Sequence, residues 1–162
     1  MSCLQRLSLI VAVSLAASAW SGPALAQGPA GEPAKSLYER LGGLKGITLV
    51  VDDFIDRLVK NSTLNRNPEI DAGRKRSPAP YLKFHVSTMV CEVTGGPCKY
   101  TGKDMKSSHA HMSITEKERD VMAGEFKKSL AKFRVPAKEQ QELLEIVGKT
   151  EADIVTPAGA KG

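Results

Sequence analysis

Apolar residues that recur every three or four positions constrain this chain more than any other feature of its sequence. Between residues 44 and 60 this spacing predicts a helix with one buried face. The apolar positions are Ile47, Val50, Val51, Phe54, Ile55 and Leu58. No stretch alternates with period two for long enough to form a strand. The sequence therefore predicts an all-α fold.

Capping and breaker residues divide the rest of the chain into further helices. Ser36 with Glu39, and Thr115 with Glu118, form two capping boxes that predict helix starts. The predicted helices span residues 36–41, 44–60, 81–94, 103–111, 115–133 and 136–154. The last of these places Leu143, Leu144, Ile146, Val147 and Ile154 on its core side.

Residues 61–80 show no sustained apolar period. They contain the breakers Pro68, Gly73, Pro78 and Pro80, and predict an irregular loop with at most a turn or two of helix. A loop of this length inside a compact domain is a candidate functional element.

The N-terminus reads as a secretory signal peptide over residues 1–26. Arg6 is followed by an uncharged apolar run over residues 7–20 and by the small-residue cleavage pattern Ala24-Leu25-Ala26. The run is short for a bilayer, which favours cleavage over a retained anchor and predicts a periplasmic or secreted protein that is not held in a membrane. A flexible leader over 27–35, a folded domain over 36–155 and a disordered tail over 156–162 follow.

Charge and size limit the kinds of partner that the mature chain can have. Removing residues 1–26 takes away Arg6, their single charged side chain, and lowers the formal net charge from +5 to +4. The cations are interleaved with acidic residues and aromatic residues make up 5% of the chain, a pattern that argues against nucleic-acid binding. The remaining 136 residues suit one domain. Oligomeric state is left open.

The mature chain keeps two of the three cysteines, Cys91 and Cys98. An exported protein meets oxidising conditions, in which disulfides form and persist. The sequence does not give the Cα separation that a disulfide requires, so pairing and free thiols both stay open.

Helical geometry gives the three histidines different directions. His85 shares a face with Leu82 and Met89, and His109 shares one with Met105 and Met112. His111 lies about 200° around the helix from His109 and is expected to face solvent. A single histidine on an apolar face is usually a core residue bonded to a carbonyl, but two on separate helices suggest ligands for iron, copper or zinc.

Four segments resemble the group I truncated haemoglobins, over about residues 36–155. They are LYERLGG at 37–43, TGGPCKYTGKDM at 94–105, SSHAHMSIT at 107–115 and VPAKEQQELLEIVG at 135–148. The resemblance implies a two-over-two helical sandwich around a haem. The chain contains no CxxCH motif, so the expected cofactor is haem b, held without thioether bonds.

Carried over by position, the resemblance implies that His109 is the proximal iron ligand and that His85 can coordinate the iron from the distal side. The predicted haem-contacting residues are Phe54, Ile55, Leu82, His85, Val86, Met89, Tyr100, Met105, His109 and Met112.

Three departures from the family pattern lie on the distal side. Ile55 stands where Tyr is common, Val86 stands where Gln is common, and residues 61–80 lack a paired Phe. These changes remove the usual polar cage, which leaves His85, or else Tyr81, to contact a bound gas.

The leading hypothesis is reversible binding of a diatomic gas, oxygen or nitric oxide, with an unidentified reductant. Nitric oxide dioxygenase or peroxidase-like side activity stays open. The second hypothesis is a bis-histidyl electron-transfer protein. The third is a haem-free zinc or copper protein that uses His85, His109 and the two cysteines, which are not at a recognised ligand spacing.

Overall fold

A computed structural model describes residues 34–156. The predicted signal peptide, residues 27–33 of the leader and residues 157–162 of the tail lie outside the described residues. The described helices are α1 (Leu37–Arg40), α2 (Gly43–Lys60), α3 (Ser62–Asn65), α4 (Pro68–Arg76), α5 (Ala79–Val93), α6 (Met105–His109), α7 (Glu116–Lys132), α8 (Ala137–Gly148) and α9 (Glu151–Ile154). No strand occurs between residues 34 and 156, and the all-α prediction is confirmed.

Both capping boxes predicted from the sequence are formed. The Ser36 and Thr115 hydroxyls accept hydrogen bonds from the backbone N–H groups of Glu39 and Glu118, at 3.2 Å in each case. The two glutamates in turn accept hydrogen bonds from the backbone N–H groups of the two capping residues. Each box satisfies two backbone donors that would otherwise lack partners at a helix start. Helices α1 and α7 begin one residue after these caps.

The prediction of an irregular loop over residues 61–80 is wrong. Helices α3 and α4 occupy most of this segment, and α5 begins at Ala79, two residues before the predicted start. Asn61 and Asn67 are the reason, because each side-chain oxygen accepts backbone N–H hydrogen bonds and caps the following helix. Pro68 takes the first position of α4, where a missing N–H has no cost.

A second difference concerns Ile154. The sequence placed it on the last long helix, but α8 ends at Gly148 and Ile154 belongs to the separate helix α9. Ile154 is nevertheless buried. Helix α9 packs against α6, so the C-terminal end of the domain supports the helix that carries His109.

Helix α2 is central to the hydrophobic core because it packs against both α5 and α7. Helices α7 and α8 form the second packed pair, in keeping with the expected two-over-two arrangement. The buried residues of the core cluster are Leu37, Ile47, Val50, Val51, Phe54, Ile55, Cys91, Phe126, Leu130 and Leu143. Phe54 and Phe126 join α2 to α7, with ring centroids 5.1 Å apart.

A polar network also connects α2 to α7. The Asp53 carboxylate accepts hydrogen bonds from Arg57 Nε at 2.6 Å, Ser129 Oγ at 2.8 Å and Lys132 Nζ at 2.5 Å. Burial alone would raise the pKa of Asp53, but these three donors together hold it well below its ordinary value. The carboxylate therefore stays charged and ties the two helices together at neutral pH.

Within residues 34–156, no helix combines the length and apolar character that crossing a bilayer requires.

Candidate functional site

His109 is the last residue of the short helix α6 and is half-buried. Asp104 caps this helix by accepting a hydrogen bond from the Ser107 backbone N–H at 2.8 Å, which lowers the pKa of the Asp104 carboxyl. The Nδ1 atom of His109 lies 2.8 Å from the carbonyl oxygen of Met105. Because a carbonyl oxygen can only accept, this contact places the ring proton on Nδ1 and leaves a lone pair on Nε2. The His109 ring is thus oriented and able to coordinate a metal ion.

His85 lies in the middle of α5, and its Nδ1 atom is buried without a hydrogen-bond partner in the described part of the chain. An unpartnered buried nitrogen costs about 1–3 kcal/mol. Its surroundings are aromatic: the ring centroids of Tyr81, Phe84 and Tyr100 lie 4.1, 5.2 and 6.1 Å from that of His85. Tyr81 and Phe84 are exposed, so this cluster lies at the surface end of the site.

The segment between α5 and α6 folds back on the end of α5. A disulfide joins Cys91 to Cys98, with an S–S distance of 1.99 Å and a Cα–Cα distance of 5.7 Å. This settles the pairing that the sequence left open. The fully buried Cys91 belongs to the hydrophobic core, so the bridge anchors the segment to that core.

Gly95 and Gly96 make this return possible. Gly95 adopts a left-handed φ of 86°, which favours glycine. A Cβ atom on Gly96 would lie 2.5 Å from Cδ2 of Tyr38 and 2.7 Å from both the carbonyl oxygen and Sγ of Cys91. The glycine pair is therefore required by the turn and by close packing against α1 and the bridge.

Tyr100 follows the bridge by two residues and is half-buried. Its backbone N–H donates to Glu92 Oε2 at 3.2 Å, and its hydroxyl donates to the carbonyl oxygen of Lys103 at 2.7 Å. Burial raises the pKa of the Tyr100 phenol, so the group stays protonated at neutral pH. The predicted site residue Tyr100 is thus held against His85, although it belongs to a different segment.

The other predicted site residues divide into two groups. Phe54 and Ile55 are buried on α2 within the core cluster, and Ile55 brings no polar group to this region. Five further side chains are half-buried. These are Leu82, Val86 and Met89 on α5, Met105 on α6 and Met112 just after α6.

Sequence reasoning missed the support that α4 gives to the segment after His109. A Cβ on the buried Gly73 would lie 2.6 Å from Cε of Met112, so the two residues are closely packed. The side-chain amide of Asn67 also donates to the Met112 carbonyl oxygen at 3.1 Å. The available signal was Gly73, a glycine within a segment that otherwise suits a short helix, but it was interpreted as a helix breaker.

His111 is exposed, as predicted, but the predicted helix over 103–111 is shorter: α6 spans Met105–His109, and His111 lies in the turn that follows it. The disulfide removes both cysteine thiolates from the ligand set that a zinc or copper protein would need here. Residues 34–156 also hold no cluster of three or more His, Cys, Asp or Glu residues placed around a common metal position.

A helical domain in which a carbonyl orients one histidine on a short helix, while a second histidine lies on a long packed helix, has the arrangement of a globin. The family model described as bacterial-like globin matches residues 36–156, and the chain belongs to this family. It is similar to the group 1 truncated haemoglobin GlbN of Mycolicibacterium paratuberculosis, with 28% identity over 130 residues that cover 80% of this chain and 90% of the relative. GlbN of Synechocystis sp. is 24% identical over 118 residues, covering 70% and 90%. These relatives place it with the group I truncated haemoglobins.

Solved structures support the fold. The Fe(III) form of the truncated haemoglobin from Tetrahymena pyriformis aligns with a TM-score of 0.66 at 19% identity, covering 76% of this chain and all of the other. The 2/2 haemoglobin from Synechococcus sp., in the cyanomet state and with covalently attached haem, aligns with a TM-score of 0.66 at 23% identity, covering 75% and 98%. The two-over-two helical fold is therefore confirmed. Membership of the family implies haem iron as the cofactor and a diatomic gas as its ligand.

Proposed function

We propose that this chain binds one haem b between α5 and α6, with His109 as the proximal iron ligand, and that it reversibly binds oxygen or nitric oxide there. The observation that carries the proposal is the 2.8 Å contact between Nδ1 of His109 and the Met105 carbonyl oxygen. Metal-bound histidines almost always donate their second ring N–H to such a partner, which sets the tautomer and raises the basicity of the ligating nitrogen.

The half-buried side chains of α5 and α6 suit the faces of a flat apolar group. Leu82, Val86 and Met89 would cover the distal side, and Met105 and Met112 the proximal side. Phe54 and Ile55 would close the inner end, where α2 carries them. When bound, the haem supplies an iron atom whose sixth position can take a diatomic gas.

The distal side of this site is poor in hydrogen-bond donors. Ile55 and Val86 have no polar atom, so His85 is the residue best placed to donate to a bound gas. A donor favours bound dioxygen because its outer atom carries partial negative charge, and fewer donors mean weaker retention of oxygen. We therefore expect oxygen affinity and resistance to autoxidation to fall when His85 is replaced by a residue that cannot donate.

The position of His85 on α5, where helical spacing puts it on the same face as Leu82 and Met89, supports a second candidate function, bis-histidyl electron transfer. If the other ring nitrogen of His85 binds iron, the sixth position is filled at rest and an external gas must displace the ring. The chain would then act as an electron carrier or as a slow, gated gas binder. Both functions need a reductant outside this chain.

The substitution His85→Ala distinguishes the two functions. If His85 binds iron at rest, the spectrum of the ferric variant changes from low-spin to high-spin. Carbon monoxide also binds the ferrous variant at least about 10-fold faster, because the bond between His85 and iron, worth more than about 1.4 kcal/mol, no longer competes with it. His111→Ala, which removes an exposed histidine, is the control and leaves both readouts unchanged. An unaltered ferric spectrum in His85→Ala rules out the bis-histidyl state and leaves gas binding at an open iron.

We also propose that the chain is exported. The disulfide supports this, because disulfides persist in oxidising compartments. Mass spectrometry of the protein from the periplasm or culture medium tests it: the mature chain should begin at Gln27, and an intact Met1 in the cytosol would contradict export.

A further inference from the structure

The Cys91–Cys98 bridge and Tyr100 form a connection to His85 that the haem-binding role does not by itself require. Tyr81 and Phe84 belong to the same helix as His85, so their contacts accompany any α5 helix. Tyr100 is different because it reaches the His85 ring from the segment after the helix, with ring centroids 6.1 Å apart in an edge arrangement. Among the three aromatic neighbours of His85, Tyr100 alone can restrain the ring from outside α5.

Tyr100 is held both at its backbone and at its phenol hydroxyl. Its hydroxyl donates to the Lys103 carbonyl oxygen, and its backbone N–H donates to Glu92. A Cβ on Gly102 would lie 2.2 Å from the Tyr100 hydroxyl oxygen, so the phenol packs directly over that glycine. The ring therefore cannot turn away from His85 without breaking its hydroxyl hydrogen bond and its packing over Gly102.

The Cys91–Cys98 disulfide ties the segment that carries Tyr100 to helix α5. The residues between Val93 and Met105 form no helix. Cys98, which lies two residues before Tyr100, is bonded to the fully buried Cys91. Without the bridge, Tyr100 is connected to α5 through the Glu92 hydrogen bond and through the turn at Gly95 and Gly96. A half-exposed side-chain hydrogen bond is a weaker restraint than a covalent bond.

We propose that Tyr100 is a positioning residue for His85, held in place by the Cys91–Cys98 bridge, and that it limits the movement of the His85 ring at the distal side of the haem. This rests on the proposed haem site. An edge-on aromatic contact of this kind corresponds to a change of about 2- to 10-fold in an equilibrium or rate when it is lost. Removal of Tyr100 therefore lets His85 leave the iron, or the bound gas, more readily.

The test uses the haem-loaded full chain and two readouts, the rate of carbon monoxide binding to the ferrous protein and the infrared C–O stretching band of the complex. Tyr100→Leu should change the rate about 2- to 10-fold and add a second C–O band, since the band senses the position of a distal donor whether or not His85 binds iron at rest. Tyr100→Phe keeps the ring and should have the smaller effect. Lys99→Ala, an exposed neighbour in the same segment, is the matched control and should behave as wild type.

Opening the bridge gives an independent second perturbation. Dithiothreitol supplies the two electrons and two protons that convert the disulfide into two thiols and is itself oxidised to a cyclic disulfide. Reduced wild type and Cys98→Ser should both shift the two readouts in the same direction as Tyr100→Leu.

The His85→Ala background decides whether the effect passes through His85. In that background Tyr100→Leu should have no further effect, because the coupled pair is already broken. The proposal would be overturned if Tyr100→Leu had the same effect with and without His85, or had no effect in the wild-type background. In either case the proposal of haem binding would be unaffected. A chain without a haem absorption band would instead overturn the proposed function.

Discussion

We expect His109→Ala to abolish stable haem binding and His111→Ala to leave it intact. The two histidines are two residues apart, but the first is half-buried with Nδ1 held by the Met105 carbonyl and the second is exposed. Removing an outer partner of a metal ligand already weakens metal binding by about 10- to 100-fold. Loss of the ligand itself should therefore reduce haem affinity by more than about 100-fold, measured by transfer of haem to a competing apoprotein.

Added imidazole provides a further control for His109→Ala. A free imidazole that enters the vacated position should restore the haem absorption band, because the rest of the site is unchanged. If His109→Ala binds haem as tightly as wild type and His111→Ala does not, the assignment of the proximal ligand is wrong.

Gly96→Ala should be among the most destabilising single-methyl changes in the chain. Its Cβ would lie closer than 3.0 Å to the Tyr38 ring and to the backbone and sulfur of Cys91. Neither the Cys91 carbonyl nor the bridged sulfur can move independently of α5, so the overlap must be relieved by displacing α1 or the segment after the turn. Such overpacking costs about 1–3 kcal/mol or more, and we expect a decrease in the free energy of unfolding of about 3 kcal/mol.

Gly124→Ala is the matched control for Gly96→Ala. It lies within α7, and no atom lies within 4 Å of the position its Cβ would take. Alanine should therefore stabilise the helix by about 0.5–1 kcal/mol. Urea unfolding followed by circular dichroism measures both changes, and equal free energies for the two variants would contradict the packing described at Gly96.

Features that depend on neighbouring residues in the sequence were predictable. The capping boxes at Ser36 and Thr115 involve residues three positions apart, and they formed as expected. The segment from Thr94 to Met105 carried the resemblance to the family, and its Gly95 and Gly96 are required by the turn that follows α5.

Features that depend on distant contacts were not predictable. Local signals over residues 61–80 were also misinterpreted: Pro68, which begins α4, and Gly73, which packs against the distant Met112, were both taken as helix breakers. The bridge between Cys91 and Cys98 needs a Cα separation that only the folded turn provides. The contact of Tyr100 with His85 likewise arises from the return of the chain along α5 and has no local sequence signal.

The central claim is that this chain is a globin that holds one haem on His109, and titration of the haem-free full chain with haem tests it most directly. We expect a Soret band that saturates at one haem per chain, a carbon monoxide complex after reduction, and complete removal of the haem by acidified solvent, because no thioether bond joins the porphyrin to the protein. A chain that saturates at no defined ratio, or that forms no carbon monoxide complex, would contradict the account.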